Sequence, residues 1–141
     1  MPSNKKFVHY EFPYVKFHGR SYPLIPIRLK NKKYSVNTFA LIDSGASFSV
    51  FRPDIAQALH LPIKSINSIR MGTPLGGLEI AISKVEIQVG KTKIQTRIGF
   101  SKNFSSSFNI LGRDGFFRHF SVCFNEMMKT VIMVPLGSFP S

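Results

Sequence analysis

The sequence consists of short stretches of β-branched and aromatic residues, separated by glycine, proline and polar turns. This pattern predicts a mostly β domain with one or two short helices. Leu24–Lys30 alternates apolar and polar positions, and a polar turn at Asn31–Lys32 leads into a second strand, Tyr34–Ile42, so we expect a hairpin. The last four residues of the second strand, Phe39–Ile42, are all apolar. This run predicts burial on both faces and places the next residue, Asp43, in the interior.

The middle of the sequence predicts a helix followed by a long hairpin. Pro53–Leu59 starts with proline and an early acid, which favours a two-turn helix. A strand around Ser65–Met71 and a longer one at Leu78–Val89 flank a glycine-rich turn, Gly72–Gly77. The apolar phase of the longer strand switches near Ser83–Lys84, which predicts either a β-bulge or a strand that leaves the body as a projecting arm.

The remainder of the chain predicts further short elements that complete a single domain, 1–141. These are a strand at Thr92–Phe100, a loop at Ser101–Ser107, a strand at Asn109–Leu111, a helical turn at Gly112–Phe117, and closing strands at Phe120–Phe124 and Val131–Val134. We expect Phe116, Phe117, Phe120 and Phe124 to belong to the core. A chain of this length with 43% hydrophobic residues buries enough surface to fold without a disulfide or a metal.

Composition restricts the classes of function. Lysine and arginine number 19 against 7 acidic residues, a net charge of +12, so the surface is expected to attract anions. The single cysteine, Cys123, excludes an internal disulfide and a cysteine-based zinc site, and its strand context predicts burial. The four histidines lack metal-ligand spacing, so we expect neither metal nor cofactor. No apolar run has the length of a signal peptide or membrane helix, so we expect a cytoplasmic protein without a membrane partner.

The residue that calls for a chemical explanation is Asp43. A lone ionised carboxylate after an apolar strand costs several kcal/mol unless hydrogen bonds or a partner charge compensate. The tripeptide Asp43–Gly45 is by itself common in turns, where the aspartate caps the backbone and the glycine relieves strain. Its context therefore decides the interpretation.

That context resembles the retropepsin-like aspartic proteases. Asp43–Ala46 reads Asp-Ser-Gly-Ala, Gly72–Leu78 is a glycine-rich turn, and Ile110–Gly112 is an apolar-apolar-Gly strand followed by Arg113-Asp114, all in the family's order. The resemblance implies a closed β-barrel of the acid protease fold. It also implies an aspartic endopeptidase in which the later strand passes beneath the catalytic loop and the glycine-rich hairpin forms a flap.

The resemblance assigns roles to individual residues. Asp43 is the catalytic acid, supported by Ser44, Gly45 and Ala46 in the active-site loop. The residues expected to bind substrate in the flap and cleft are Gly72, Thr73, Gly76, Gly77, Leu78 and Ser47. Those expected to be structural near the site are Ile110, Leu111, Gly112 and Arg113.

A single Asp-Ser-Gly motif implies a homodimer in which two copies of Asp43 activate a water between them. The partners implied are therefore a second copy and a peptide or protein substrate. By analogy with the family, the strands that pair between subunits are Val131–Leu136 or the N-terminal Phe7–Phe17, so residues 1–20 are either an extension or an interface strand. Retroviral enzymes commonly have a second aspartate where this chain has Ser47. Arg113 then loses its expected partner, and Asp114 or a carbonyl must replace it.

Two further functions stay open at this point. One is a non-catalytic module that binds peptides or dimerises on the same fold, recognised by two Asp43 carboxylates too far apart to share a proton. The other is a basic, nucleic-acid-associated β domain. It is favoured if Lys91, Lys93 and Arg97, which alternate along one strand, join Lys30, Lys32 and Lys33 on one continuous face.

Overall fold

The structure is a computed structural model that describes residues 8–63, 68–73 and 76–138. Strands and one α-helix, α1 (Pro53–Ala58), make up its regular elements, together with a 3₁₀ helix at Leu136–Ser138. The strands are β1 (Tyr10–Pro13), β2 (Val15–Phe17), β3 (Arg20–Tyr22), β4 (Leu24–Asn31), β5 (Tyr34–Ile42), β6 (Val50–Phe51), β7 (Ser68–Thr73), β8 (Gly76–Val89), β9 (Thr92–Phe100), β10 (Asn109–Leu111), β11 (Phe120–Asn125) and β12 (Thr130–Pro135).

Six of these strands form a closed β-barrel. Their order is β4-β5-β10-β6-β9-β8, and β8 returns to β4 through the pairing of Glu86–Gln88 with Arg28–Lys30. β10 runs parallel to β5, with Asn109–Leu111 opposite Ala40–Ile42. The predicted mostly β architecture with a closed barrel is therefore confirmed.

The barrel is filled by the inward-facing side chains of the alternating strands. Ile25, Leu29, Ile87 and Ile98 are completely buried, in agreement with the period-two pattern that predicts their strands. Helix α1 covers one end of this core with Ile55 and Ala56. The barrel thus gives the loops at its rim a rigid base.

Strand β8 is continuous, and it contains no β-bulge at the position where its apolar residues change faces. Ala81–Val89 pairs with Thr92–Phe100 in one unbroken register, while the preceding residues of β8 pair only with β7. Ile80 is buried on the face opposite to Val85, with its side chain over Gly99. Of the two expected arrangements, the chain therefore adopts the strand that extends beyond the barrel.

A second sheet has the order β1-β12-β11. Because β12 pairs with β1 on one side and β11 on the other, it has no free edge for a partner strand. Of the three strands of this sheet, β1 and β11 each have a free edge. Of the two terminal segments proposed to pair between subunits, the N-terminal one therefore keeps an open edge.

Three local expectations were wrong. Cys123 and Phe124 are exposed rather than buried, because the described residues do not cover their part of the edge strand β11. Phe39 is 51% exposed, since only alternate residues of β5 face the core. Gly112–Phe117 forms turns without a helix.

Within the described ranges, no helix has the length and apolar composition needed to span a bilayer.

Candidate active site

The backbone of Asp43 is fixed by a strand that lies far away in the sequence. Asp43 directly follows β5, and its N–H donates to the carbonyl of Leu111 at 2.9 Å. Leu111 ends β10, which runs parallel to β5. The end of β10 therefore determines where the Asp43 loop begins.

The loop after β5 holds one oxygen of the Asp43 carboxylate and leaves the other free. The Gly45 N–H donates to Asp43 Oδ1 at 2.9 Å, and the Ala46 N–H donates to the Asp43 carbonyl at 3.2 Å. A Cβ on residue 45 would lie 3.2 Å from Oδ1, so glycine permits this close approach. Oδ2 accepts no hydrogen bond from the residues that the structure describes. It is the oxygen available for chemistry.

The loop opens onto the surface of the chain. Asp43 is half-buried, and Ser44 and Gly45 are exposed, so the expected interior position of the acid is wrong. The carboxylate lies just beyond the core, because β5 ends at Ile42, which is buried, and the chain leaves the core at the next residues. The Ser44 hydroxyl has no partner within the described part of the chain, so the hydrogen bond that the resemblance implies across a dyad has no acceptor in one protomer.

The segment after β10 crosses the chain that follows the Asp43 loop and forms backbone hydrogen bonds with it. The N–H groups of Arg113 and Asp114 donate to the carbonyls of Ala46 and Ser47, at 2.9 and 3.0 Å. A Cβ on Gly112 would lie 2.4 Å from the Phe48 carbonyl oxygen and 2.8 Å from that of Ala46. Only glycine fits at this crossing, which explains its place after Ile110–Leu111.

Ser49 ties the crossing together, and its role was missed from the sequence. Its hydroxyl is fully buried, accepts the Gly112 N–H at 2.9 Å and donates to the Asp114 carbonyl at 2.9 Å. The signal in the sequence was a serine between two apolar residues, Phe48 and Val50, because a polar side chain that is buried in an apolar stretch needs a hydrogen-bond partner.

The expected replacement partner for Arg113 does not occur. The carboxylate of Asp114 lies 3.9 Å from Arg118, and Arg113 is exposed with no side-chain partner among the described residues. The Asp114 carboxylate therefore pairs with a residue four positions further along the chain rather than with its direct neighbour. A depression of about 500 Å³ beside the loop is lined by Ser47, Arg113, Asp114, Phe117 and Arg118.

The glycine-rich segment forms the predicted hairpin. Gly72 pairs with Gly77, Thr73 with Gly76, and Met71 with Leu78. Pro74 and Leu75, at the expected tip, lie outside the described residues. The hairpin belongs to the part of β8 that extends beyond the barrel.

In the described part of the chain, no group of three histidine, cysteine or acidic side chains is placed to hold a metal ion.

The barrel, with β10 threaded beside the Asp43 loop, defines a retropepsin-like fold. A retropepsin-like aspartic protease from Rickettsia conorii matches with a TM-score of 0.64 at 16% identity, over 87% of this chain and 98% of that one. EIAV protease, in complex with the inhibitor HBY-793, matches with a TM-score of 0.53 at 21% identity, over 70% of this chain and 88% of that one. No protein-family model and no curated protein sequence matches the chain. At these identities, the likeness establishes the fold.

Proposed function

We propose that the protein is an aspartic endopeptidase that acts as a homodimer. The observation that carries this proposal is the Asp43 carboxylate, which the β10 crossing and the Gly45 N–H hold in place while Oδ2 stays free on an open face. Both structural neighbours are named as proteases, and one of them is bound to an inhibitor. A fold of this kind with a fixed, accessible aspartate supports the same reaction class here.

The second carboxylate of the reaction comes from a second copy of the chain. Several other acids engage neighbours elsewhere: Asp54 pairs with Arg52, Asp114 with Arg118, Glu126 with Lys129, and Glu86 accepts from Gln95. None of the other acids follows an apolar strand as part of an Asp-Ser-Gly loop. A two-fold axis beside the exposed Ser44 and Gly45 brings two Asp43 side chains together.

The two carboxylates then divide the chemistry between them. Like charges at about 3 Å do not both ionise readily, so the pair shares one proton. The ionised member takes a proton from a water that attacks the scissile carbonyl, and the protonated member donates to the carbonyl oxygen. No covalent intermediate with the enzyme forms.

The substrate is an extended peptide. It lies between the Asp43 loop and the β7–β8 hairpin, which acts as a flap. Ser47 and the hairpin residues Gly72, Thr73, Gly76, Gly77 and Leu78 contact it. Backbone hydrogen bonds of the strand-addition type give affinity, while depressions such as the one beside Ser47 select side chains.

Purified protein incubated with a mixture of unblocked peptides, with the products identified by mass spectrometry, tests this function. Asp43→Asn removes the base and the shared proton without a change of volume, so cleavage is expected to disappear while the melting temperature is kept. Asp54→Asn is the matched control, because Asp54 lies on the surface in an exposed pair with Arg52, and it should cleave like the wild type. Wild-type turnover in Asp43→Asn would refute the assignment. Peptide binding without cleavage by the wild type would favour the non-catalytic module.

A further inference from the structure

The outer surface of the barrel carries a continuous basic face. In the barrel, β8 lies between β4 and β9. Gln88 on β8 pairs with Arg28 on one side and with Lys93 on the other, and Lys84 pairs with Arg97. We call this surface the basic face. It is defined by eight exposed cations: Arg28, Lys30, Lys32, Lys33, Lys84, Lys91, Lys93 and Arg97. Of the residues set out for a nucleic-acid-associated domain, Lys30, Lys93 and Arg97 thus share one face of the sheet, and Lys32, Lys33 and Lys91 lie in the turns that adjoin it.

The charge on the basic face is almost uncompensated. Its one acid, Glu86, accepts a hydrogen bond from Gln95 at 3.2 Å, and none of the eight cations forms an ion pair within the described residues. Lys84 and Arg97 are directly opposite each other, and like charges in that position destabilise a sheet. An anion bound across the face would relieve this repulsion.

The basic face also has a place for an anionic group. A depression of about 290 Å³ lies between Lys30, Lys32 and Lys84, with Asn31, Val85, Glu86 and Gln95 completing its wall. Three lysines against one acid, Glu86, in the lining of this depression favour an anionic group such as phosphate.

An aromatic ring lies at the end of the basic face. Phe39 is 51% exposed, more than any other phenylalanine whose burial is described. It is on β5, opposite Pro26 and two residues from Asn37, which is opposite Arg28. A depression of about 430 Å³ joins Phe39 to Arg28 and Gln88. A ring beside a track of cations is the arrangement on which unpaired bases stack.

We infer that the basic face binds single-stranded nucleic acid, with phosphates along the cations and a base stacked on Phe39. A duplex hides the faces of its bases, so stacking on Phe39 requires unpaired bases. The Lys32–Lys33 end of the face is remote from the cleft, since β5 runs from this turn to Asp43 over nine residues, about 30 Å, whereas Phe39 lies four residues, about 13 Å, from Asp43. Together with the proposed peptidase function, binding at the basic face holds the protein at a nucleic acid while the Asp43 site stays free.

Fluorescence anisotropy of a labelled oligothymidylate of about 20 nucleotides tests the inference. The triple variant Lys84→Gln, Lys93→Gln, Arg97→Gln should weaken binding by on the order of 100-fold at 0.1 M salt, and should reduce the slope of log affinity against log salt by about 2. The matched control Lys16→Gln, Arg20→Gln, Lys102→Gln removes the same charge from exposed positions outside the face and should change neither.

Two more variants test whether a base stacks on Phe39 and whether nucleic-acid binding is independent of Asp43. Phe39→Ala should lower affinity about 5-fold or more without a change in the salt slope, since stacking is not a charge effect. Asp43→Asn should bind the oligonucleotide like the wild type, and the face triple should cleave short peptides like the wild type. Equal losses in the face triple and the control triple would overturn the inference, as would binding to phosphatidylserine vesicles with none to the oligonucleotide.

Discussion

The hydroxyl of Ser49 lies 2.9 Å from the backbone nitrogen of Gly112, although 63 residues separate them in the chain. Through this contact, the segment that follows Asp43 is tied to the segment that ends β10. The position of the Asp43 loop therefore depends on a serine whose hydroxyl is completely buried.

Ser49→Ala should lower the free energy of unfolding by about 2 kcal/mol, because the buried Gly112 N–H loses its acceptor. Urea unfolding measures the change. Ser47→Ala is the control, since Ser47 is exposed and contributes only its backbone carbonyl to the crossing. An equal, small change in both variants would show that the Ser49 hydroxyl does not hold the crossing.

Gly112→Ala should destabilise the protein by about 3 kcal/mol or more. The new methyl group meets backbone atoms of Phe48 and Ala46, which do not move aside as a flexible side chain does. Chemical denaturation of this variant is compared with Gly137→Ala, where a Cβ meets nothing within 4 Å and the change should stay within about 0.5 kcal/mol. A fully stable Gly112→Ala protein would mean that the crossing is looser than described.

These contacts show which parts of the molecule local patterns predict. The alternation of Ile25 and Leu29 specifies a half-buried strand, and the proline at the start of Pro53–Ala58 specifies a helix, because both signals are local. Asp43–Gly45 was identifiable because the glycine and the carboxylate are adjacent in sequence.

What the sequence did not predict depends on distant neighbours. Ser49 has partners at Gly112 and Asp114, and no local motif marks it. The exposure of Phe39 and Cys123 depends on which layer covers their strands, and the pairing of Asp114 with Arg118 depends on how the backbone turns after the crossing. Periodicity reports a strand's faces but not what lies over them.

Peptidase activity should show the signature of a site shared between two protomers. If a tenfold excess of Asp43→Asn is mixed with wild-type protein and the subunits exchange, cleavage should fall to roughly one-tenth, since most wild-type protomers then pair with an inactive one. Specific activity should also fall on dilution. The same excess of Asp54→Asn provides the control and should raise total cleavage roughly elevenfold, because this variant is expected to be active. Activity that is unaffected by both mixing and dilution would belong to a monomer.

The acid stability of the protein should depend on Tyr14. Glu126 accepts hydrogen bonds from Lys129 at 2.8 Å and from Tyr14 at 2.9 Å, and these hold the pKa of its carboxyl below the usual 4.5. A lowered pKa means that the carboxylate form is favoured by folding, so this stabilisation is present above pH 4.5 and is lost as the pH falls through the folded-state pKa.

Tyr14→Phe should therefore melt at a lower temperature than the wild type at about pH 6, and the difference should shrink towards about pH 3. Melting curves across this range measure it. Tyr10→Phe is the matched control, because the Tyr10 hydroxyl bonds to Thr92 and to the Lys91 N–H rather than to a carboxylate. Its deficit should not change with acid pH, and a parallel change in both variants would exclude Glu126 as the cause.

The parallel pairing of β5 with β10 also bears on the order in which the chain folds. Asp43 obtains its backbone acceptor only from Leu111, and loop closures over such separations are slow compared with hairpin formation. The β4–β5 and β8–β9 hairpins, in contrast, consist of pairings between consecutive strands. During synthesis, the Asp43 loop therefore lacks this acceptor until Leu111 has emerged, so a nascent chain that ends before β10 does not yet hold the Asp43 carboxylate in place.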